Sequence, residues 1–185
     1  MMGRPGGGKS VQAKLLAEHI GAQTFSSGMR YRQIATEDSF IGHKVKGIVD
    51  SGHLTPSWFA AHLFTESALA LPSLESKIVY EGSARKLEEA IKIDEVLTWL
   101  ERPYAVIYLE VREDEIRARL TKRASLEGRK DDGEGLVDVR LKAYAEDTLP
   151  AINYFRDCGK VIEINGNQPE SKVFAEIVEK LSHLS

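Results

Sequence analysis

Gly3-Arg4-Pro5-Gly6-Gly7-Gly8-Lys9-Ser10 is the stretch whose reading decides the fold. It fits G-x-x-x-x-G-K-[ST], a phosphate-binding loop joining a buried strand to a helix. The residue types follow from the ligand. Glycine lets the backbone take positive φ and approach phosphate oxygens without a Cβ in the way. Successive N–H groups then form a concave anion nest at the positive end of a helix. Lys9 adds a mobile cation for β- and γ-phosphates, and the Ser10 hydroxyl suits Mg²⁺. A glycine-rich turn alone would match by chance. Here the motif runs directly into Val11-Gln12-Ala13-Lys14-Leu15-Leu16-Ala17-Glu18, a strong helix former and the context the motif needs downstream.

Upstream the context is short. Only Met1 and Met2 precede Gly3, whereas a central strand usually takes about five or six residues. The expectation is therefore a truncated first strand, or a start lying further upstream.

Outward from the loop, apolar positions Val11, Leu15, Leu16 and Ile20 predict a helix over Ser10–Ile20, with Gly21 at its C-cap. Ala22–Ser26 is a short strand candidate and Met29–Thr36 a helix. A further helix is expected over Ile41–Ser51, closed by Gly52. Thr55-Pro56 predicts the next helix start, with a small capping residue followed by proline at the first position. Lys77–Tyr80 is a second strand and Leu87–Leu100 an amphipathic helix. Ala105–Val111 is almost continuously apolar, as in a strand covered on both faces. Glu113–Ser125 is helical and Leu126–Gly135 a polar loop. Helices over Leu136–Thr148 and Ala151–Asp157 are expected to break at Pro150. Lys160–Ile164 is the last strand and Glu170–Leu184 the last helix. Strands alternating with helices predict a parallel α/β sheet. Ligands in such sheets bind at the carboxyl ends of the strands, so Glu81-Gly82 and Asn165-Gly166 should face the side of the phosphate loop.

Composition narrows the classes. The chain has 185 residues, 42% hydrophobic and 29% charged, which suits one globular domain. A net charge of -3 argues against general nucleic-acid binding. One cysteine, Cys158, excludes an intrachain disulfide and fits a reducing, cytoplasmic setting; it reads as a packed residue. No apolar run reaches the roughly 20 residues of a membrane span. His19, His43, His53, His62 and His183 are scattered without metal-ligand spacing.

Read together, several segments resemble the adenylate kinase family of nucleoside monophosphate kinases, from Gly3 almost to the C-terminus. The family's G-x-P-G-x-G-K loop, followed by a small residue, Thr and Gln, corresponds to Gly3–Lys9, Ser10, Val11 and Gln12. S-T-G-D-x-x-R corresponds to Ser26-Ser27-Gly28-Met29-Arg30-Tyr31-Arg32, and G-x-L-V-P to Gly52-His53-Leu54-Thr55-Pro56. D-G-F-P-R corresponds to Glu81-Gly82-Ser83-Ala84-Arg85. The lid signature appears as Arg119-Leu120-Thr121-Lys122-Arg123, Gly128-Arg129-Lys130-Asp131-Asp132 and Arg140-Leu141. Each segment is weak alone; their order and spacing are specific.

The resemblance implies an α/β P-loop NTPase-like fold of three layers around a parallel sheet. It implies one kinase domain over 1–185, with an acceptor-binding segment at 26–56 and a short mobile lid at 123–140. Gly6, Gly7, Gly8, Lys9, Ser10, Val11, Arg119, Arg123 and Gly166 would bind ATP. Ser27, Arg32, Leu54, Gly82, Arg85 and Glu89 would bind the acceptor. Lys9, Arg85, Arg123, Arg129 and Arg140 would carry catalysis, and Asp131 and Asp132 would hold the lid's arginines as it closes. Mg²⁺ is implied on Ser10 and, through water, on Glu81. Only five residues separate Arg123 from Arg129, which leaves no room for a zinc-binding lid. A monomer acting on ATP and a nucleoside monophosphate is implied, with neither nucleic acid nor membrane as a partner. The physical chemistry agrees, because arginine's planar fork pairs with phosphate oxygens and stays charged.

The departures matter too. Glu81 stands for Asp, Met29 for an acidic residue, and Ser83-Ala84 for an aromatic and a proline that stiffen the acceptor turn. Val11 lacks a hydroxyl. Glu89 stands where the family has a base-reading Gln; an ionised carboxylate only accepts hydrogen bonds, which suits guanine or cytosine better than adenine. Glu89 on a solvated helix face is the other reading. Two further readings of the chain stay open: a degenerate nucleotide-binding protein with little turnover, and a P-loop kinase of another small metabolite.

Overall fold

The computed structural model describes residues 1–127 and 135–182, without the side chains of 123–127. Along the chain run β1 (Met2–Gly3), α1 (Lys9–Ile20), β2 (Gln23–Ser26), α2 (Ser27–Ile34), α3 (Phe40–Asp50), α4 (Ser57–Leu69) and β3 (Ile78–Glu81). These are followed by α5 (Leu87–Trp99), β4 (Val106–Glu110), α6 (Glu113–Glu127) and α7 (Leu136–Ala143). A π-helical turn (Tyr144–Thr148), α8 (Leu149–Asp157), β5 (Val161–Asn165) and α9 (Glu170–Ser182) complete it. All strand pairs are parallel: β1 with β4, β4 with β5, and β2 with β3.

The first strand is short, as expected, with two residues. Two residues suffice for β1 to pair with β4, Met2 opposite Tyr108 and Gly3 opposite Leu109. Met1 then bridges to the other strand pair: its amine donates to the Tyr80 carbonyl, and its own carbonyl accepts from Gly82 N–H at 3.4 Å. The resulting parallel order is β2-β3-β1-β4-β5. Gly3 is required at the end of β1: it sits at φ 138°, where a Cβ would lie 2.6 Å from the Leu109 carbonyl oxygen.

β4 organises the layers. Its side chains alternate between faces with the period of a strand. Val106 and Tyr108 enter a core with Phe64, Ile93, Leu97, Ile152 and Phe155 from α4, α5 and α8. Ile107 and Leu109 enter the opposite core with Leu16, Ile164, Val173 and Ile177. Both faces are therefore covered, which explains the uninterrupted apolar run. Two smaller cores sit at the periphery. Tyr31, Ile34, Val45, Phe59 and Leu63 hold α2, α3 and α4 together; Val111, Ile116, Leu120 and Leu141 hold α6 to α7. Asp94 on α5 accepts hydrogen bonds from the Tyr104 hydroxyl and, at 2.8 Å, from the Tyr154 hydroxyl, fastening α5 to α8 and to the approach to β4.

Two predicted boundaries are corrected. The helix expected to begin at Pro56 starts at Ser57, because the Thr55 hydroxyl donates to the Tyr31 hydroxyl at 2.9 Å instead of capping. The expected break at Pro150 does not occur. The Leu149 N–H reaches back five residues to the Tyr144 carbonyl. That widened turn accommodates a proline, which has no N–H and crowds the carbonyl four residues earlier. Helical structure therefore runs unbroken from Leu136 to Asp157.

Candidate active site

The phosphate loop leaves β1 and turns into α1 through Gly6 and Gly8, at φ 74° and 84°. Both glycines are in the left-handed region that side chains disfavour. Gly6 has a second constraint, since a Cβ there would lie 2.9 Å from the Leu120 side chain on α6. Lys9 folds back over the loop, and its ammonium donates to the carbonyls of Gly3 (2.9 Å) and Arg4 (2.6 Å). Arg4 is anchored outward: Nη1 donates to the Val111 carbonyl at 2.8 Å, and the guanidinium lies 5.0 Å from the Tyr144 ring centroid.

Two cavities flank this loop and share Gly6, Gly7, Gly8, Val11 and Arg119 in their walls. The larger, about 590 Å³, is completed by Gln12, Arg112, Gly166, Asn167 and Glu170. There Arg119 pairs with Glu115 at 2.8 Å and donates to the Gly166 carbonyl at 3.3 Å. Gln12 is 2% exposed and donates to the Glu170 carbonyl at 2.9 Å, while its own carbonyl oxygen has no protein partner. The other cavity, about 380 Å³, is lined by Lys9 and Ser10, by Arg32, Leu54, Thr55, Glu81, Gly82, Arg85 and Glu89, and by Arg140, Tyr144 and Thr148. The carboxyl ends of β3 and β5 thus open on the two sides of the loop, as parallel-sheet geometry requires.

Arg85 is held at three points, two on its backbone and one on its side chain. Its backbone N–H donates to Glu89 Oε2 at 2.8 Å, its carbonyl accepts from the Thr148 hydroxyl at 3.0 Å, and its Nε donates to the Gly82 carbonyl at 2.7 Å. The preceding turn passes through Gly82 at φ 75° and Ala84 at φ 58°. Proline, locked near φ −65°, could not occupy this Ala84 conformation, so the loop is stiffened by hydrogen bonds where a proline was expected to serve. A Cβ on Gly28 would lie 3.5 Å from Arg32 Nη1 and 3.7 Å from Arg85 Nη2; the two guanidinium groups converge there.

The two carboxylates are tuned in opposite directions. Burial would raise the pKa of Glu81, but Lys9, the Ser26 hydroxyl at 2.6 Å and Arg85 outweigh it and hold the group below its ordinary value. Glu81 is therefore ionised on the same cavity that Ser10 lines, and the two supply hard oxygens that fit Mg²⁺ carried on phosphates. Glu89 is 3% exposed, and burial pushes its pKa up to about 7 against the opposing N–H groups of Arg85 and Lys86 and their charges. It does not point to solvent. At the third position of α5 it reaches back to the cap N–H groups, the returning half of a capping box.

Ser27 is the exception among the expected acceptor residues. Its hydroxyl donates to the Gly82 carbonyl at 2.7 Å, it is 5% exposed, and Ser26 and Gly28 line the cavity in its place. Met29 is 65% exposed. Arg129, Asp131, Asp132 and the Arg123 side chain lie outside the described residues. Among those described, no cluster of three His, Cys, Asp or Glu residues forms a metal site, and no helix is long and apolar enough to cross a membrane. Sequence patterns missed Arg4, Tyr31, Tyr144 and Thr148, whose roles depend on contacts distant along the chain.

The family model for adenylate kinase matches residues 1–160. The chain belongs to the adenylate kinase family. It is 36% identical over 177 residues to adenylate kinase 1 of Nostoc sp., an alignment covering 95% of this chain and 94% of that protein. The adenylate kinase of Cyanothece sp. is 33% identical over 178 residues (96% and 91%) and that of Thermus thermophilus 32% over 177 (95% and 92%). These matches make the chain an ATP-dependent nucleoside monophosphate kinase on a P-loop NTPase fold.

Proposed function

We propose that this chain transfers the γ-phosphoryl group of ATP to AMP, as a monomeric cytoplasmic enzyme of one domain with an acceptor-binding segment at 26–56 and a short lid at 123–140. One observation carries the reading: Lys9 and the phosphate loop line a single cavity together with the converging pair Arg32 and Arg85. Donor and acceptor phosphates held by those two sets of groups meet within it. Such a reaction needs mainly alignment and neutralisation of charge, with no covalent intermediate on the protein.

The donor base and ribose would occupy the cavity bounded by Gln12, Arg119 and Gly166, with phosphates running along Gly6, Gly7, Gly8, Lys9, Ser10 and Val11. Lys9 would exchange its loop carbonyls for phosphate oxygens. Arg32 and Arg85 would hold the acceptor phosphate, and Gly82 would shape the turn that aims Arg85. Arg123, Arg129 and Arg140 would close over the transferring group, with Asp131 and Asp132 holding the lid. Bound Mg²⁺ would offset charge on the ATP phosphates, held by Ser10 and, through water, Glu81.

Glu89 bears on the base. A carboxyl titrating at about 7 is protonated through much of the mildly acidic range, and a protonated carboxyl donates as well as accepts, as an amide does. In that state it matches adenine N1 together with the 6-amino group. Ionised, it offers acceptors alone and favours guanine or cytosine. A coupled assay of ADP formation with ATP against AMP, GMP and CMP tests both levels. AMP is expected to lead. Glu89→Gln should raise AMP use at pH 8 by about tenfold or more, the worth of one restored buried hydrogen bond. Turnover absent with every monophosphate defeats the kinase reading; an unaltered acceptor profile in Glu89→Gln removes Glu89 from the base.

A further inference from the structure

The π turn between α7 and α8 touches both the phosphate loop and the Arg85 turn. Thr148, 8% exposed, donates to the Arg85 carbonyl across 63 residues of chain. Tyr144, 4% exposed, lies under the Arg4 guanidinium of the phosphate loop and shares a 2.9 Å hydrogen bond with the Tyr108 hydroxyl on β4. Arg140, one helical turn earlier, packs its aliphatic stem beside Gly52 of the acceptor segment, where a Cβ would meet its Cγ at 3.4 Å.

Helical geometry makes this alignment depend on the widened turn. An α-helix advances about 100° per residue, so residues eight apart fall about 80° out of line. A turn holding one additional residue cancels most of that drift. Arg140, Tyr144 and Thr148 consequently share the cavity wall. A regular helix would swing Thr148 away from Arg85 or Tyr144 away from Arg4.

We propose that the π turn is a positioning device that couples the two substrate sites, Thr148 fixing Arg85 and Tyr144 fixing the phosphate loop through Arg4. The proposal rests on the reading of Arg85 as an acceptor-phosphate ligand and of the Gly3–Ser10 loop as the ATP site. Thr148 acts through Arg85, so it is a positioning residue. With its hydroxyl gone, the Arg85 carbonyl loses its anchor while the donor wall is untouched.

The test uses the full chain carrying Thr148→Val, Thr148→Ser, Arg4→Leu and the Thr148→Val/Arg4→Leu double change. ADP formation gives KM for AMP and for ATP separately, titration calorimetry gives AMP affinity without turnover, and thermal melting reports the fold. Thr148→Val should raise the AMP KM and weaken AMP binding by about tenfold, the scale of one lost buried hydrogen bond, with the ATP KM within about twofold. Thr148→Ser should restore AMP binding. Arg4→Leu should act chiefly on ATP. The double change should differ from the product of the two singles by about threefold or more, the mark of coupled sites. Wild-type AMP constants in Thr148→Val overturn the proposal. So does a parallel rise in both KM values with lowered melting that serine fails to rescue, and so do strictly multiplicative effects. Wild-type chain that binds AMP but forms no ADP defeats the reaction and leaves the calorimetric comparison to judge Thr148; wild-type chain that does not bind AMP overturns both.

Discussion

Arg85 and Lys9 line the same cavity, yet they are held in different ways. Arg85 is fixed by its surroundings, with Glu89, Thr148 and Gly82 each taking one of its polar groups. Lys9 is held by its own loop, through the carbonyls of Gly3 and Arg4. The wall that carries Arg85 is held by its own turn, through Gly82 and Glu89, and by one residue distant along the chain, Thr148, so it resists small displacements but depends on every contributor. The phosphate loop is self-contained, and its cation must trade partners when a ligand arrives. Preorganised charge costs no rearrangement during the reaction; a charge that exchanges partners favours tight but reversible capture of phosphate.

The sharpest test of that contrast is Lys9→Met. Loss of one donor aimed at developing charge typically removes about 3 kcal/mol of transition-state stabilisation, so turnover should fall at least about a hundredfold while the fold survives. Steady-state kinetics alongside melting checks this; near-normal turnover would mean that Lys9 is only a clasp for its own loop.

Gly82→Ala probes the wall that carries Arg85, with a smaller effect. The new Cβ at φ 75° would lie 2.8 Å from Arg85 Nη2 and 3.0 Å from Ser27 Oγ, displacing the guanidinium. The AMP KM should rise about tenfold, because misplacing a positioning group costs rate steeply, while the ATP KM stays within about twofold. Equal effects on both substrates would erase the distinction between the walls.

The smallest effect is one of stability. The pKa of Glu89 is raised in the folded chain, from an ordinary 4.5 to about 7, so the folded state keeps a proton that the unfolded state has released. Stability contributed by the neutral carboxyl is complete below pH 4.5 and is lost as pH rises through about 7. Glu89→Gln, which keeps a capping oxygen without a charge, should melt higher than wild type at pH 8, and the advantage should vanish by pH 4.5. Parallel melting curves across that range would show Glu89 already ionised at low pH.

Much of the fold was legible because period and punctuation are local signals. Val106–Glu110 stands out as an apolar run since both of its faces are covered, and Gly21 at φ 64° ends α1 as its position predicts. Pro150 misled, because a proline reads as a break only if the preceding turn is a regular one. β1 was read as a truncated strand and is one, but its partners on both sides were not legible, because a count of apolar residues does not see them. In the site, Arg32 and Arg85 were visible through their motifs. Thr148 was not, since a threonine on a helix carries no mark of the carbonyl 63 positions away that it serves. Glu89 was visible as a departure, but its burial and its capping bond came only with the structure.

The aspartate clasp on Tyr104 and Tyr154 has an optical counterpart. The pKa of five of the six tyrosines lies above the ordinary 10.0: burial raises Tyr31 and Tyr80 against the hydrogen bonds they make, while burial and hydrogen bonding together raise Tyr104, Tyr144 and Tyr154. Asp94 contributes at both phenols it clasps, because a neighbouring carboxylate opposes phenolate formation. The ultraviolet band of tyrosinate should therefore stay largely silent through the pH range in which free tyrosine ionises. It should then emerge in one cooperative step as the chain unfolds in alkali, making ultraviolet absorbance a built-in reporter of the packing between α5 and α8.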